Sequence, residues 1–589
     1  MLSLSISLSN LTTSVSKKFA ALGRTIRAHP AEAICVGLLV VMAAIQVVVI
    51  TRKSLTTDEI VMIPAGYYYV KTGDPRFIRE HPPVSKLLAG LPLVLMHLKV
   101  DPPATDVQDT DGDRMMRVWT SNSGKFEKIS FLARLPAIAL TVGLGLLLFI
   151  FARDLFGARA AVFAVALFCF EPTVLAHGRV VQTDIPAAFG FLLFFYLLRR
   201  YLNARTWRTA LTLGVAVAIA VLTKFSMLLV IPIVAAVFVW LMLKPPSPND
   251  RRTILATHAG IAAFACLFVV NAAYLFSMRP VSGDDFQLAV DALPRYAGAA
   301  TGLLSFASHF LPTDFLGGIF WQIKHNTEGH PASLLGDNSR FGWWYYFPVA
   351  FALKTTIPFL LLSIGSLVWG SVKIARRRDW RYIWLLGPFV VYTAFVMTSQ
   401  IDIGVRYYLP AFPFLCIAGG IALDSLARSQ RARRLCVAVT LLVFAWVGIE
   451  AIRAYPDEMV YMNEFTAGNP NWKYLSDSNV EWGDDVKQLS EYLRERGETR
   501  VHSAVLSGYL TFRFFGIEQI DLLPSELAPL PETHYVAVGA SFLNGSVIPP
   551  RVNGRDLSEE ERVNFLDKYR HRKPEAIFGR SIYLFRESE

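Results

Sequence analysis

Cysteine is scarce in this chain and charge is thin. Only 5 cysteines occur in 589 residues, and Cys35, Cys169, Cys266, Cys416 and Cys436 all sit inside apolar runs, none in a CxxC pair. That placement excludes a disulfide framework and a cysteine-built metal centre, and leaves five small buried hydrophobes. Charged residues reach only 18% against 53% hydrophobic, and the mean hydropathy is +0.39. Such a balance excludes a disordered chain and an ordinary soluble enzyme. No internal repeat and no low-complexity tract is present. The first residues, MLSLSISLSN, lack the charged start and cleavage site of a signal peptide, so residues 1–32 read as a cytosolic leader.

What the chain does have is a series of apolar runs of roughly 17–25 residues, the length that crosses a bilayer as a helix. They fall near 33–51, 129–152, 158–176, 182–200, 207–223, 225–243, 253–276, 346–372, 382–399, 405–426 and 434–452. The expected fold is a polytopic α-helical membrane protein of about 11 spans. A shorter apolar stretch at 84–98 contains proline and is expected to lie along the surface.

Basic residues set the orientation. Lys17, Lys18, Arg24 and Arg27 precede the first span, and Arg153, Arg159, Arg199, Arg200, Arg205 and Arg208 occupy the next connections on the same side. Lys244, Arg251, Arg252, Lys373, Arg376, Arg377, Arg378, Arg381, Arg428, Arg431, Arg433 and Arg434 continue the pattern. The alternate short connections hold almost none, so this side is cytosolic. The net charge of +11 is thereby a topology signal, and nucleic acid is not an expected partner. The organisation that follows is a membrane domain at 33–454, with outer loops at 52–128 and 277–345. An outward C-terminal α/β domain occupies 455–589, where DDVKQLSEYLRERG has helical spacing and VHSAVLSGYL, HYVAVGASFL and SIYLFR read as strands.

Polar residues concentrate at the outer ends of these spans. The stretch TTDEIVMIPAGYYYVKTGDPRFIREHPPVSK brings Asp58, Glu59, Tyr67, Glu80, His81 and Lys86 into the first outer loop. His177, Arg179 and Asp184 flank a turn, Lys224 interrupts an apolar run, His330 lies in the second loop, and Arg406 and Tyr407 open a later span. Each has a plainer explanation taken alone: Lys224 can snorkel, Arg406 can pair with Asp402, Glu171 can cap a helix break, and WWYYF at 343–347 can be an interfacial belt. The convergence of acids and cations from five distant segments on one membrane face is what those explanations leave over. It suits a cavity in which a carboxylate deprotonates an acceptor while cations hold a departing lipid phosphate.

These residues resemble a known family. The stretch DE…GYYYVKTGD…EHPPVSKLLAGLPL is similar to the first outer loop of the GT-C glycosyltransferases that use polyprenyl-phosphate sugars. It resembles most the protein O-mannosyltransferases and the lipid A aminoarabinosyltransferases. HGRVVQTDIPAAF, GHPASLLG…GWWYYFPVAFALKT and DSNVEWGDDVKQL extend the similarity, which spans roughly residues 33–490. The resemblance implies inverting sugar transfer with Asp58 as general base, Glu59 and Glu80 assisting, and His81 and Lys86 completing the HPPxxK pattern. It implies substrate contacts at Tyr67, Arg179, Asp184, Lys224, His330, Arg406 and Tyr407. The implied donor is a polyprenyl-phosphate-linked sugar, with a glycolipid, polysaccharide or protein as acceptor, on the periplasmic face of a bacterial inner membrane. No cofactor is required; Glu80 with His330 is the pair that would bind a divalent metal. Loop 277–345 is too short for the β-trefoil insert of the eukaryotic mannosyltransferases. The competing readings are a transporter or flippase of lipid-linked sugars, and a transferase moving whole oligosaccharides from a diphosphate carrier.

Overall fold

The computed structural model describes residues 27–100, 110–245, 251–428, 433–525 and 533–587. Most of the expected leader, residues 1–26, lies outside them. The chain is an integral, multi-pass membrane protein. Among the described residues 8 helices are long and apolar enough to cross a bilayer: Pro30–Ile50, Ser123–Phe156, Asp184–Asn203, Phe225–Leu243, Arg252–Ala273, Ile357–Arg377, Val405–Ala427 and Arg433–Ala454. Large apolar side chains stay exposed on their outer faces, Val239, Trp240 and Leu243 on one helix and Leu361, Ile364 and Val368 on another. In water such faces would be untenable; in lipid they are the solvated surface.

The expected number of spans is larger than these lengths support. Three of the expected crossings fall on shorter apolar helices, Ala158–Phe170, Trp207–Thr223 and Trp380–Val396. The first two shortenings have a local cause. Glu171 precedes Pro172, which disfavours helical backbone before it, and Glu171 is extended with φ −71° and ψ 121°. Its carboxylate then accepts hydrogen bonds from the Thr356 amide at 3.1 Å and hydroxyl at 2.9 Å, capping a distant helix that starts at Ile357. That cap sits where the expected span 346–372 divides into Tyr346–Lys354 and Ile357–Arg377. Lys224 is extended as well and separates Trp207–Thr223 from the turn that opens the next span. Such breaks at membrane depth need protein partners for the freed backbone groups, and they gather where the polar residues are.

Among the described residues both expected outer loops carry helices. The first carries helix Thr57–Thr72, then Pro83–Gly90 packed against it through Gly66 and Gly90; a Cβ on Gly66 would stand 2.0 Å from the Lys86 carbonyl oxygen. The second carries helices Gly283–Ala292, Ala297–Ala307 and Thr313–Glu328, then a hairpin of β1 (Ala332–Leu334) and β2 (Asp337–Ser339).

After the last long helix the chain turns back over the membrane domain. A strap at 476–485 leads into helix Val486–Glu495, whose buried Val486, Leu489 and Leu493 repeat at helical spacing. A five-stranded sheet follows, with β3 (Arg500–Ala504), β4 (Glu518–Asp521), β5 (Tyr535–Gly539), β8 (Ala576–Phe578) and β9 (Ile582–Arg586) in the order β4-β3-β5-β9-β8. β3 runs parallel to β4 and β5, and β9 antiparallel to β5 and β8. A two-residue pair, β6 (Arg551–Val552) with β7 (Arg555–Asp556), lies apart from it. The apolar cluster of this unit includes Leu55, Ile60 and Trp119 of the first loop alongside Leu489, Val501 and Leu510. Loop and tail therefore share one core.

Candidate active site

A chain of alternating charges crosses the outer end of the bundle. Helix Thr57–Thr72 begins after Thr56, and Asp58 stands in its first turn with 23% of its side chain exposed. The Arg406 Nη1 donates to Asp58 Oδ2 at 2.5 Å and lies 3.7 Å from Asp184 Oδ2. The Lys224 ammonium donates to Asp184 Oδ1 at 2.5 Å. Four segments are joined in this way: the first loop, the start of Asp184–Asn203, the break at Lys224, and the 3-10 turn Val405–Ala411.

Aromatic rings frame both cations. Lys224 Nζ is 3.4 Å from the centroid of Tyr407, and the Arg406 guanidinium carbon is 4.3 Å from that of Trp482. Desolvated cations held over ring faces keep their positions while losing water. Among the described residues the buried Arg406 Nε and Asp184 Oδ2 have no hydrogen-bond partner. Buried polar atoms left without a partner cost free energy, so each is a position where a ligand atom would be gained at little expense.

Several residues expected here are used otherwise, and each is a correction to the sequence reading. Glu59 does not face the site: it is fully buried, accepting from Arg134 Nε at 2.7 Å, Arg134 Nη2 at 2.5 Å and the Val181 amide at 3.1 Å. It also accepts the Thr56 amide at 2.9 Å, which closes the helix start. Asp58 and Glu59 are adjacent in sequence, and the helix turns them about 100° apart, one to the site and one to the core. Lys86 is buried and donates to the carbonyls of Phe77 at 3.1 Å and Ile78 at 2.8 Å, so it braces its own loop. Tyr67 donates its hydroxyl to Leu98 O at 3.0 Å. Arg179 pairs with Glu458 Oε2 at 2.7 Å, outside the charge chain of Asp58, Arg406, Asp184 and Lys224.

Glu80 and His81 are partly buried, between helices Thr57–Thr72 and Pro83–Gly90 of the first loop, where Gln322 Nε2 of helix Thr313–Glu328 donates to the Glu80 carbonyl at 3.5 Å. Burial lowers the affinity of the His81 imidazole for a proton, against the opposing pull of Glu80 and Asp58. His330 is partly buried, its ring 5.7 Å from that of His325 and its Nδ1 3.1 Å from Pro331 O. Among the described residues no group of three or more His, Cys, Asp or Glu is placed to hold a metal ion.

The strap 476–485 supplies what the sequence reading missed. Ser478 Oγ donates to Ile403 O at 2.6 Å, and the Val405 amide donates to Asn479 Oδ1 at 2.9 Å, fixing the turn that carries Arg406. The Thr57 amide donates to Trp482 O at 3.0 Å and the Ser54 amide to Asp484 O at 2.7 Å, fixing the helix start that carries Asp58. Asp477 lies close enough to Arg406, His330 and Asp58 for their charges to act on its carboxyl, whose proton affinity burial raises. The available signal was an acidic run, Asp477, Glu481, Asp484 and Asp485 around one tryptophan, beyond the last apolar span.

Residues 34–284 match the family described as dolichyl-phosphate-mannose-protein mannosyltransferase. No curated protein matches the chain. Among solved structures the chain is similar to the Saccharomyces cerevisiae protein O-mannosyltransferase Pmt1-Pmt2 complex bound to the sugar donor. There the identity is 12%, the TM-score 0.49, and the match covers 72% of this chain and 90% of that one. Similarity to the Archaeoglobus fulgidus oligosaccharyltransferase in the apo form has 12% identity and TM-score 0.48, covering 87% and 70%. ArnT from Cupriavidus metallidurans bound to undecaprenyl phosphate gives 13% identity and TM-score 0.44, covering 93% and 97%.

Proposed function

We propose, from the match of residues 34–284 to the dolichyl-phosphate-mannose-protein mannosyltransferase family, that this protein is a GT-C membrane glycosyltransferase. It moves a sugar from a polyprenyl-phosphate carrier to an acceptor at the outer, periplasmic face of a bacterial inner membrane. The observation that carries the mechanism is the charge chain Asp58–Arg406–Asp184–Lys224, of which Asp58 is the solvent-reaching end. Asp58 takes a proton from the acceptor hydroxyl or amine, and the freed electron pair attacks the anomeric carbon. The bond from that carbon to the phosphate oxygen breaks, its electrons stay on the phosphate, and the configuration inverts. Arg406 and Lys224 are the cations placed to hold the leaving phosphate, with the unpartnered Arg406 Nε as a donor toward it. Asp184 holds both cations in register.

The implied divalent ion at Glu80 with His330 is an addition this mechanism does not use. Turnover before and after dialysis against a chelator decides whether it belongs.

The test uses purified protein in lipid with a panel of polyprenyl-phosphate sugars, following release of polyprenyl phosphate. Turnover with one donor is expected, and Asp58→Asn should lower it by roughly 10²–10⁴-fold. Lipid movement without release from any donor would replace the transferase with a flippase.

A further inference from the structure

A groove of about 390 Å³ lies beside this site, between the β1–β2 hairpin, the chain at 469–474 and the C-terminal unit. Its chemistry is carried by Ser333, Asn469, Trp472, Lys473, Asn544 and Arg570, and no carboxylate lines it. Lys473 Nζ and the Arg570 guanidinium carbon stand 5.7 Å and 5.8 Å from the Trp472 ring centre. Ser333 is 1% exposed, and its hydroxyl has no hydrogen-bond partner among the described residues. An orphaned buried hydroxyl in a groove wall is a place prepared for a polar ligand atom.

Two segments of backbone run from the groove to the residues around the charge chain. Leu334 and Leu475 pair as an antiparallel bridge, and the Ser333 amide donates to Ser476 Oγ at 2.8 Å. In one direction these two segments reach His330 and Asp477 at the site; in the other, where the Leu335 amide donates to Tyr474 O at 2.8 Å, they reach Leu335 and Lys473 in the groove. Asp477 is four positions beyond Lys473, a path of at most ~14 Å.

We propose that this groove binds an acidic saccharide portion of the acceptor. One sugar ring lies on the Trp472 indole, its phosphate or carboxylate meets Lys473, and its hydroxyls meet Ser333 and Asn469. Arg570 is already held by Asp567 at 3.3 Å and by the Leu543 and Val563 carbonyls. An apolar ring face flanked by two cations and by amide and hydroxyl groups matches that ligand. A peptide would need extended backbone pairing, and β1 and β2 already pair with each other. The assignment to the acceptor rests on the transferase reading above.

The test titrates full-length protein in lipid nanodiscs with pentamannose phosphate and with its dephosphorylated parent, in the absence of donor, by calorimetry. The phosphorylated form is expected to bind, and Lys473→Glu to weaken it by about tenfold or more. Lys473 is exposed, so the reversal tests charge without opening the core. Ser333→Ala is expected to weaken both saccharides alike. Equal affinity in Lys473→Glu, no binding of the phosphorylated form, or binding only of an acidic unglycosylated peptide would overturn the proposal. Polyprenyl phosphate release is measured on the same preparation. Release without saccharide binding sinks the groove alone; saccharide binding without release from any donor sinks its assignment to an acceptor.

Discussion

Asp58 and Arg406 stand 348 residues apart in sequence and 2.5 Å apart in space. The guanidinium ties the first outer loop to the turn before helix Phe412–Ala427, and through Asp184 it reaches Lys224. Because Arg406 serves two carboxylates at once, its loss leaves Asp58 without a counter-charge and the buried Asp184 with Lys224 alone.

Arg406→Ala should therefore cost about 3–5 kcal/mol of stability, and Arg406→Ala with Asp58→Asn clearly less than the sum of the two. A double-mutant cycle read by thermal or chemical unfolding in detergent checks this. Strict additivity would mean that the pair does not form.

Glu59 and Asp58 should separate cleanly despite being neighbours. Glu59→Gln leaves Arg134 buried without its counter-charge and should destabilise by about 3–5 kcal/mol, while the folded fraction still turns over. Asp58→Asn should lower turnover roughly 10²–10⁴-fold and, because Asp58 is partly exposed, cost less stability than Glu59→Gln. Equal melting for the two variants would contradict the geometry.

Gly66→Ala should disrupt the first loop, because its Cβ would meet the Lys86 carbonyl at 2.0 Å. A cost of about 1–3 kcal/mol or more is expected. Gly37→Ala, with nothing within 4 Å, is the control and should be silent. Expression level and melting of the two variants give the answer.

Stability should fall as pH rises from about 4 to 8. Burial pushes the Asp402 carboxyl up to about 7, against the opposing amide of Trp343, which donates to Oδ2 at 2.7 Å. Burial raises Glu481 to about 8, and burial with the neighbouring Asp485 charge raises Asp484 to about 6. A group whose folded pKa lies above its unfolded value favours the fold fully below the unfolded value and loses that contribution as pH climbs through the folded one. Asp402→Asn keeps an oxygen for Trp343 and cannot ionise. It should match the parent at pH 5 and melt several degrees higher at pH 8. A parallel drop in both proteins would assign the pH dependence elsewhere.

The long apolar runs and the clustering of polar residues at their ends were legible in the sequence, because hydrophobic length acts locally. Pro358 breaks 346–372 locally, but the cap on the new helix start was not legible, because Glu171 brings it from a segment remote in sequence. Nor was the parting of Asp58 from Glu59, which depends on where Arg134 arrives from helix Phe126–Phe156. Lys86, Tyr67 and Arg179 carried the right residue types for a substrate site, and loop carbonyls or Glu458 claim them instead. Sequence by itself determined that this chain enters a membrane and gathers acids and cations on one face. Tertiary structure decided which of those charges meet one another and which reach a substrate, since a buried charge is settled by partners that distant segments bring to it.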